Sequence, residues 1–164
     1  MFVSSSSGFS GSAEDYRLLF QQAQALTADE PDLLANLANI SALIYDQLPQ
    51  QNWAGFYLNR GQTLVLGPFQ GKPACVRIKW HQGVCGTAAA TQKVQRVADV
   101  HSFPGHIACD AASAAEIVLP VVVQGTTVAV LDLDSPHQDR FQANDEEGLA
   151  ALLPLLQEFA WEQL

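Results

Sequence analysis

Three cysteines and three strand-borne carboxylates are the residues of this chain whose types and spacing could do chemistry. Cys75, Cys85 and Cys109 form no CxxC pair, and an odd count fits neither a paired disulfide framework nor a four-cysteine zinc site. At least one thiol is left over for reaction or for burial. Cys85 follows Gly83-Val84 at an expected helix start, where free backbone N–H groups favour a thiolate and a lowered pKa. Cys109 lies in a loop near His106, which offers a comparable advantage. Free cysteine is also among the most buried residue types, so spacing alone leaves catalysis and simple burial both open.

Glu116, Asp132 and Asp134 sit within or at the ends of apolar strands. The two aspartates are two residues apart and share a face if the strand is regular. Carboxylates gathered there are costly unless they bind a cation, share a proton or face water. A zinc set of His101, His106 and Cys109 has one feasible ligand pair, His106-x-x-Cys109, but lacks the second knuckle that structural zinc usually needs. We therefore expect no metal. Trp53 and Tyr57, four apart in a strand, share a face that in isolation reads as core, and His81 and His137 read as solvated loop residues. No GxGxxG, P-loop or GxSxG motif is present, which leaves nucleotide and serine-hydrolase chemistry without local support.

The elements that must position these residues follow from periodicity. Ser12 and Asp15 resemble a capping box for a helix from Ala13 to about Ala25. Pro31 opens a second helix whose Leu33, Leu37, Ile40, Ile44 and Leu48 make one apolar stripe up to Pro49. The period then changes to short runs, Trp53 to Leu58, Thr63 to Phe69 and Ala74 to Lys79, separated by turn residues. An alanine-rich helix from Val84 to Gln92 opens at Gly83, and Val94 to Ala98 reads as a strand. His101 to Ala115 is a long loop of the kind that carries a site. Two strands, Glu116 to Val123 and Thr126 to Leu133, are joined at Gln124-Gly125. A terminal helix from Asp145 to Gln163, capped at Asn144, kinks or restarts at Pro154. Helices at both ends of an antiparallel sheet make the chain α+β, with residues 1–12 a flexible N-terminal tail and 13–164 a single domain.

Composition narrows the partners. The chain has 164 residues, 48% of them hydrophobic and 15% charged, enough for one domain with a sizeable core. A net charge of -9 repels phosphate backbones and anionic lipid, so neither nucleic acid nor membrane is expected. The N-terminus lacks a basic start and an apolar stretch, and polar residues interrupt Ile117 to Leu133. We expect a soluble, cytoplasmic protein with reduced thiols.

Six ordered blocks carry a further signal: Asn52 to Leu58 (NWAGFYL), Leu66 to Cys75 (LGPFQGKPAC), Gly83 to Thr87 (GVCGT), Phe103 to Asp110 (FPGHIACD), Ser113 to Pro120, and Val130 to Ser135 (VLDLDS). Together they closely resemble the free methionine-(R)-sulfoxide reductases, GAF-domain enzymes, over about Leu33 to Gly148. The resemblance implies a GAF-like antiparallel sheet with N- and C-terminal helices on one face and a short helix and loops over the other. It implies an oxidoreductase that reduces free methionine-(R)-sulfoxide without a cofactor, with Cys109 catalytic, Cys75 resolving and Cys85 an additional thiol. Thioredoxin is the implied reductant. Glu116, Asp132 and Asp134 match pocket positions, at least one holding a proton for the sulfoxide oxygen and another pairing with the substrate ammonium. Trp53, with Tyr57 nearby, would pack on the S-methyl group, and the amides around Ile107, Ala108 and Cys109 would receive the carboxylate. GAF domains commonly dimerise through terminal helices, which makes a homodimer the expectation here. Trp80-His81-Gln82 departs from the family pattern before Gly83. The competing class is a non-catalytic GAF sensor of a small ligand.

Overall fold

The computed structural model describes residues 8–164, so residues 1–7 of the expected tail lie outside the described residues. Those that follow are tied down: Ser10 donates from its amide and hydroxyl to the Asp15 carboxylate, and the Phe9 ring meets Tyr16 edge-on at 5.1 Å.

Six strands form one antiparallel sheet: β1 (Trp53–Asn59), β2 (Thr63–Gly71), β3 (Arg77–Lys79), β4 (Gln95–Val97), β5 (Ala115–Val123) and β6 (Thr126–Ser135). Their spatial order is β3-β2-β1-β6-β5-β4. Positive φ at both Gln124 and Gly125 gives the tight β5–β6 turn that matches strand twist. Strand alternation separates two layers. Ala54, Phe56, Leu58, Ile117, Leu119, Leu131 and Leu133 point to one face and are buried there. That face is covered by α1 (Ala13–Thr27), α2 (Leu33–Gln47), α4 (Ala143–Ala150) and α5 (Leu153–Gln157), whose Leu19, Leu37, Ile44, Leu149 and Leu156 complete the main core.

The opposite face carries Trp53, Tyr57, Val118 and Val130 and is covered by α3 (Gly83–Thr91). Gly86 lets that helix dock closely, because a Cβ there would lie 2.3 Å from the Lys79 carbonyl oxygen. Among the described residues no helix is long and apolar enough to cross a membrane.

Two local expectations, for Cys75 and Asn144, are corrected. Cys75 is not in a strand: β3 begins at Arg77, and residues 72–76 form an irregular strap after Gly71, where Pro73 has no amide for a ladder. The terminal helix restarts at Pro154 as expected, divided into α4 and α5 with Pro154 in the first turn of the second. Asn144 does not cap it; the amide of Gln142 donates to Asp145 at 2.7 Å, while Asn144 reaches the Gly11 carbonyl. The apolar stripes of α2 and of the C-terminal helices pack on the chain's own sheet.

Candidate active site

The register of the three central strands assembles the site. Trp53 pairs with Asp134, and Asp134 with Glu116, so these three side chains form one row across β1, β6 and β5. One step along the same face, Gly55 pairs with Asp132 and Asp132 with Val118. The period of two that puts Leu131 and Leu133 in the main core therefore turns both aspartates into the other layer, as their spacing predicts. A cavity over these rows is lined by Trp53, Tyr57, Cys85, Glu116, Asp132 and Asp134, and by Ile107 and Cys109 of the long loop.

Aromatic residues floor one side. The Trp53 ring stacks on Tyr57 at 5.8 Å and on Phe69 at 5.2 Å between centroids. Both β1 side chains also reach the strap: Trp53 Nε1 donates to the Lys72 carbonyl at 3.2 Å, and the Tyr57 hydroxyl donates to the Cys75 carbonyl at 2.9 Å. Phe69, Lys72 and the strap contact itself were not marked by sequence, because they depend on β1 meeting an irregular segment.

Cys75 and Cys109 are joined in a disulfide with Cα atoms 5.4 Å apart, closing the strap onto the long loop. Cys85 is the free thiol, and it is buried. Its expected low pKa is overturned. Burial first, then the charges of Asp132 and Glu116, pushes the thiol well up, outweighing what one helix end contributes.

The carboxylates are likewise pushed toward their acid forms. Burial raises Asp132 to about 7. Glu116 is pushed up by burial and then by Asp132 and Asp134, and Asp134 by burial and then by Asp132 and Asp110. Cys85 Sγ donates to Glu116 Oε1 at 3.7 Å, and one Asp132 oxygen, Oδ1, is buried without a hydrogen-bond partner among the described residues. Cys85 Sγ and one oxygen each from Glu116 and Asp132 lie within 4.8 Å of one another. Such a set could hold a cation when deprotonated, and otherwise presents acidic protons to whatever enters.

The alternative zinc set does not come together: Cys109 is spent in the disulfide, and His101 is exposed with Nδ1 2.9 Å from Asp99. His106 instead faces Glu116, with Nε2 4.0 Å from Oε2. His81 and His137 are exposed, as read from sequence. Ala108 is exposed and does not line the cavity, and the Cys109 amide, expected to be available, donates to the Ile107 carbonyl at 3.0 Å. A two-residue turn before the disulfide consumes it.

Residues 24–157 match the GAF domain family. The chain is 57% identical over 144 residues to the free methionine-R-sulfoxide reductase of Escherichia coli, covering 88% of this chain and 87% of that one. Among solved structures it is similar to the reduced form of fRMsr of Staphylococcus aureus, with 51% identity, a TM-score of 0.84, and coverage of 87% of this chain and 93% of that one. The free methionine-R-sulfoxide reductase of Neisseria meningitidis, solved in complex with its substrate, superposes with a TM-score of 0.88 at 40% identity, covering 95% and 96%.

Proposed function

Because the chain belongs to the GAF-domain family of free methionine-R-sulfoxide reductases, we propose that it reduces free L-methionine-(R)-S-oxide to methionine through its cysteines. The observation that carries this reading is the Cys75–Cys109 disulfide standing over a cavity lined with proton-holding carboxylates. A sulfoxide reductase needs both: a nucleophilic sulfur with a second thiol in reach, and an acid for the departing oxygen.

In the reduced enzyme the Cys109 thiolate attacks the sulfoxide sulfur while a carboxylic acid of the Glu116, Asp132 and Asp134 group gives its proton to the oxygen. The protonated oxygen then passes from the substrate sulfur to Cys109 Sγ: the new Sγ–O bond forms as the S–O bond to methionine and the transient bond between the two sulfurs break, methionine leaves, and Cys109 is left as a sulfenic acid. The Cys75 thiol then attacks Cys109 Sγ, water departs, and the disulfide forms. Sulfur of the substrate is reduced by two electrons and the cysteine pair is oxidised by two. Thioredoxin restores both thiols by exchange in the cytoplasm. No metal or organic cofactor takes part.

Binding follows from the same side chains. Trp53 packs against the S-methyl group, beside Tyr57. A second carboxylate of the group takes the ammonium, and the amide of Ile107 receives the substrate carboxylate. Reading both ends of an amino acid excludes peptide-linked methionine sulfoxide. The enzyme acts as a homodimer, for which Leu18 and Leu34, exposed on α1 and α2, supply apolar surface; a monomer mass in solution would remove this element.

The experiment is turnover of free methionine-R-sulfoxide with thioredoxin and its reductase, comparing the wild type with Cys109→Ser. Wild-type turnover that the variant loses is the expected result. Normal turnover by the variant, or no loss of free thiols when reduced enzyme meets substrate, would sink the assignment and leave a ligand-binding GAF domain.

A further inference from the structure

Resting on the reductase reading, the geometry points to His106 as the residue that returns a proton to Glu116 between turnovers. Glu116 is the carboxylate in need of such a route. It is buried on β5, its Oε1 faces the Cys85 thiol at 3.7 Å, and its Oε2 faces His106 Nε2 at 4.0 Å.

Exposure falls steadily from solvent to that carboxylate. The His101 side chain is 68% exposed, that of His106 15% and that of Glu116 9%. The two imidazoles lie 6.5 Å apart between ring centroids, and Asp99 fixes the outer one through Nδ1. An imidazole can take a proton at Nδ1 from the solvent side and release one from Nε2, a property neither a carboxylate nor a lysine shares in this pH range. Burial, and secondarily the charge of His101, lowers the His106 pKa, so the ring holds its proton briefly rather than as a resident charge. The other titratable groups lining the cavity are Tyr57 on β1, Cys85 on α3, Asp132 and Asp134 on β6, Cys109 and Asp110 on the long loop and Lys72 on the strap.

The proton balance explains why a route is needed. Cys109 becomes a thiolate by losing its proton to solvent, whereas the oxygen receives one from the buried acid. The overall step, thiol plus sulfoxide to sulfenic acid plus methionine, consumes no net proton. The acid is nevertheless left ionised in a buried, acidic pocket, and a proton from outside must reset it. His106 sits on the loop that carries Cys109, so recharging and thiol positioning share one segment. It acts through Glu116 and is a positioning residue for the proton, not a group that touches the sulfoxide sulfur.

The test compares wild type, His106→Gln and His106→Ala under saturating substrate and reductant. The expected result is a ~10- to 100-fold lower kcat in both variants, at the low end of what positioned proton transfer contributes, with KM changed far less. The Gln variant, which keeps size and polarity, should also lose the acid-to-neutral limb of the kcat pH profile. Added imidazole should restore the Ala variant, with a solvent deuterium effect larger than in wild type. Unchanged kcat and pH profile in the Gln variant, or a loss in the Ala variant that imidazole does not restore, overturns the relay while wild-type turnover upholds the reductase. Absence of wild-type turnover overturns both.

Discussion

The Tyr57 hydroxyl donates a 2.9 Å hydrogen bond to the carbonyl of Cys75, so the strand that floors the cavity also holds the backbone of one disulfide partner. Tyr57 is buried, and its own pKa is pushed up mainly by that burial, so it stays a donor throughout the working pH range. The strap of residues 72–76 has a second tie at Trp53, and without both it is an irregular segment with little ladder bonding of its own. The strap that carries Cys75 is thus held by two aromatic side chains from β1.

Tyr57→Phe should therefore separate placement of Cys75 from binding. Losing one neutral hydrogen bond costs about 1 kcal/mol of stability, since the carbonyl of Cys75 lies near enough to the surface to find water. The sharper effect is expected on resolution: the sulfenic acid on Cys109 should persist longer before the disulfide closes. Rapid-quench trapping with a sulfenic-acid reagent checks this, and disulfide formation as fast as in wild type would show that the strap needs no tether.

Burial of the acid cluster makes stability depend on pH. Asp132 titrates near 7 in the folded protein against 3.8 for an ordinary aspartate, so the native state binds the proton more tightly than the unfolded state. That contribution is fully present below about pH 4 and is lost as pH rises through 7, with Glu116 and Asp134 extending the same trend. The loss from Asp132 alone is on the order of 4 kcal/mol by pH 8. Urea denaturation at pH 5 and pH 8 should show the drop, and Asp132→Asn should flatten it while impairing turnover.

How much of this was legible beforehand differs by residue. Asp132 and Asp134 could be placed on the cavity face from alternation alone, because Leu131 and Leu133 between and beside them fix the other face. Glu116 joined them only through strand register, and the row Trp53, Asp134, Glu116 is a product of two pairings that no local pattern encodes. The helix stripe from Leu33 to Leu48 was readable as a buried face, but periodicity does not say what it packs on. Cys85 was misjudged for a related reason. A helix start is visible in sequence, whereas burial against two carboxylates is not, and burial dominates its chemistry. The Cys75 strap was read as strand because its composition alternates acceptably, while its true anchor, Tyr57, lies 18 residues earlier in the chain.

Gly86→Ala should destabilise the layer that roofs the site. A methyl group at this position would meet the Lys79 carbonyl oxygen at 2.3 Å, a backbone atom that cannot swing aside. Helix α3 must then lift from β3, opposing the roughly 1 kcal/mol that alanine ordinarily adds to a helix. We expect a net loss of about 1–3 kcal/mol, the usual cost of overpacking. Thermal unfolding measures it, and a Tm at or above wild type would mean that α3 is not rigidly seated.

Far from the cysteines, Asp145 ties three elements together. It accepts from the Tyr16 hydroxyl of α1 at 2.6 Å, from Arg140 at 3.1 Å and from the Gln142 amide at 2.7 Å, and it is 2% exposed. Asp145→Ala leaves a largely buried guanidinium and a buried hydroxyl without their acceptor, a change that typically costs about 3–5 kcal/mol. Turnover per folded molecule should be unaffected. Chemical denaturation together with activity below the transition checks both halves, and an equal fall in kcat would reveal coupling between this network and the site.

Cys85 offers the most direct reading of the site's electrostatics. Alkylation requires a thiolate and access, and this thiol is 3% exposed with its pKa pushed well up by burial and by the neighbouring acids. After reduction at pH 8, brief iodoacetamide treatment should label Cys75 and Cys109 while leaving Cys85 unmodified until the protein is unfolded. Peptide mass analysis distinguishes the three. Rapid native-state labelling of Cys85 would contradict the buried, proton-holding arrangement, and would make this third thiol as ready for exchange as the other two.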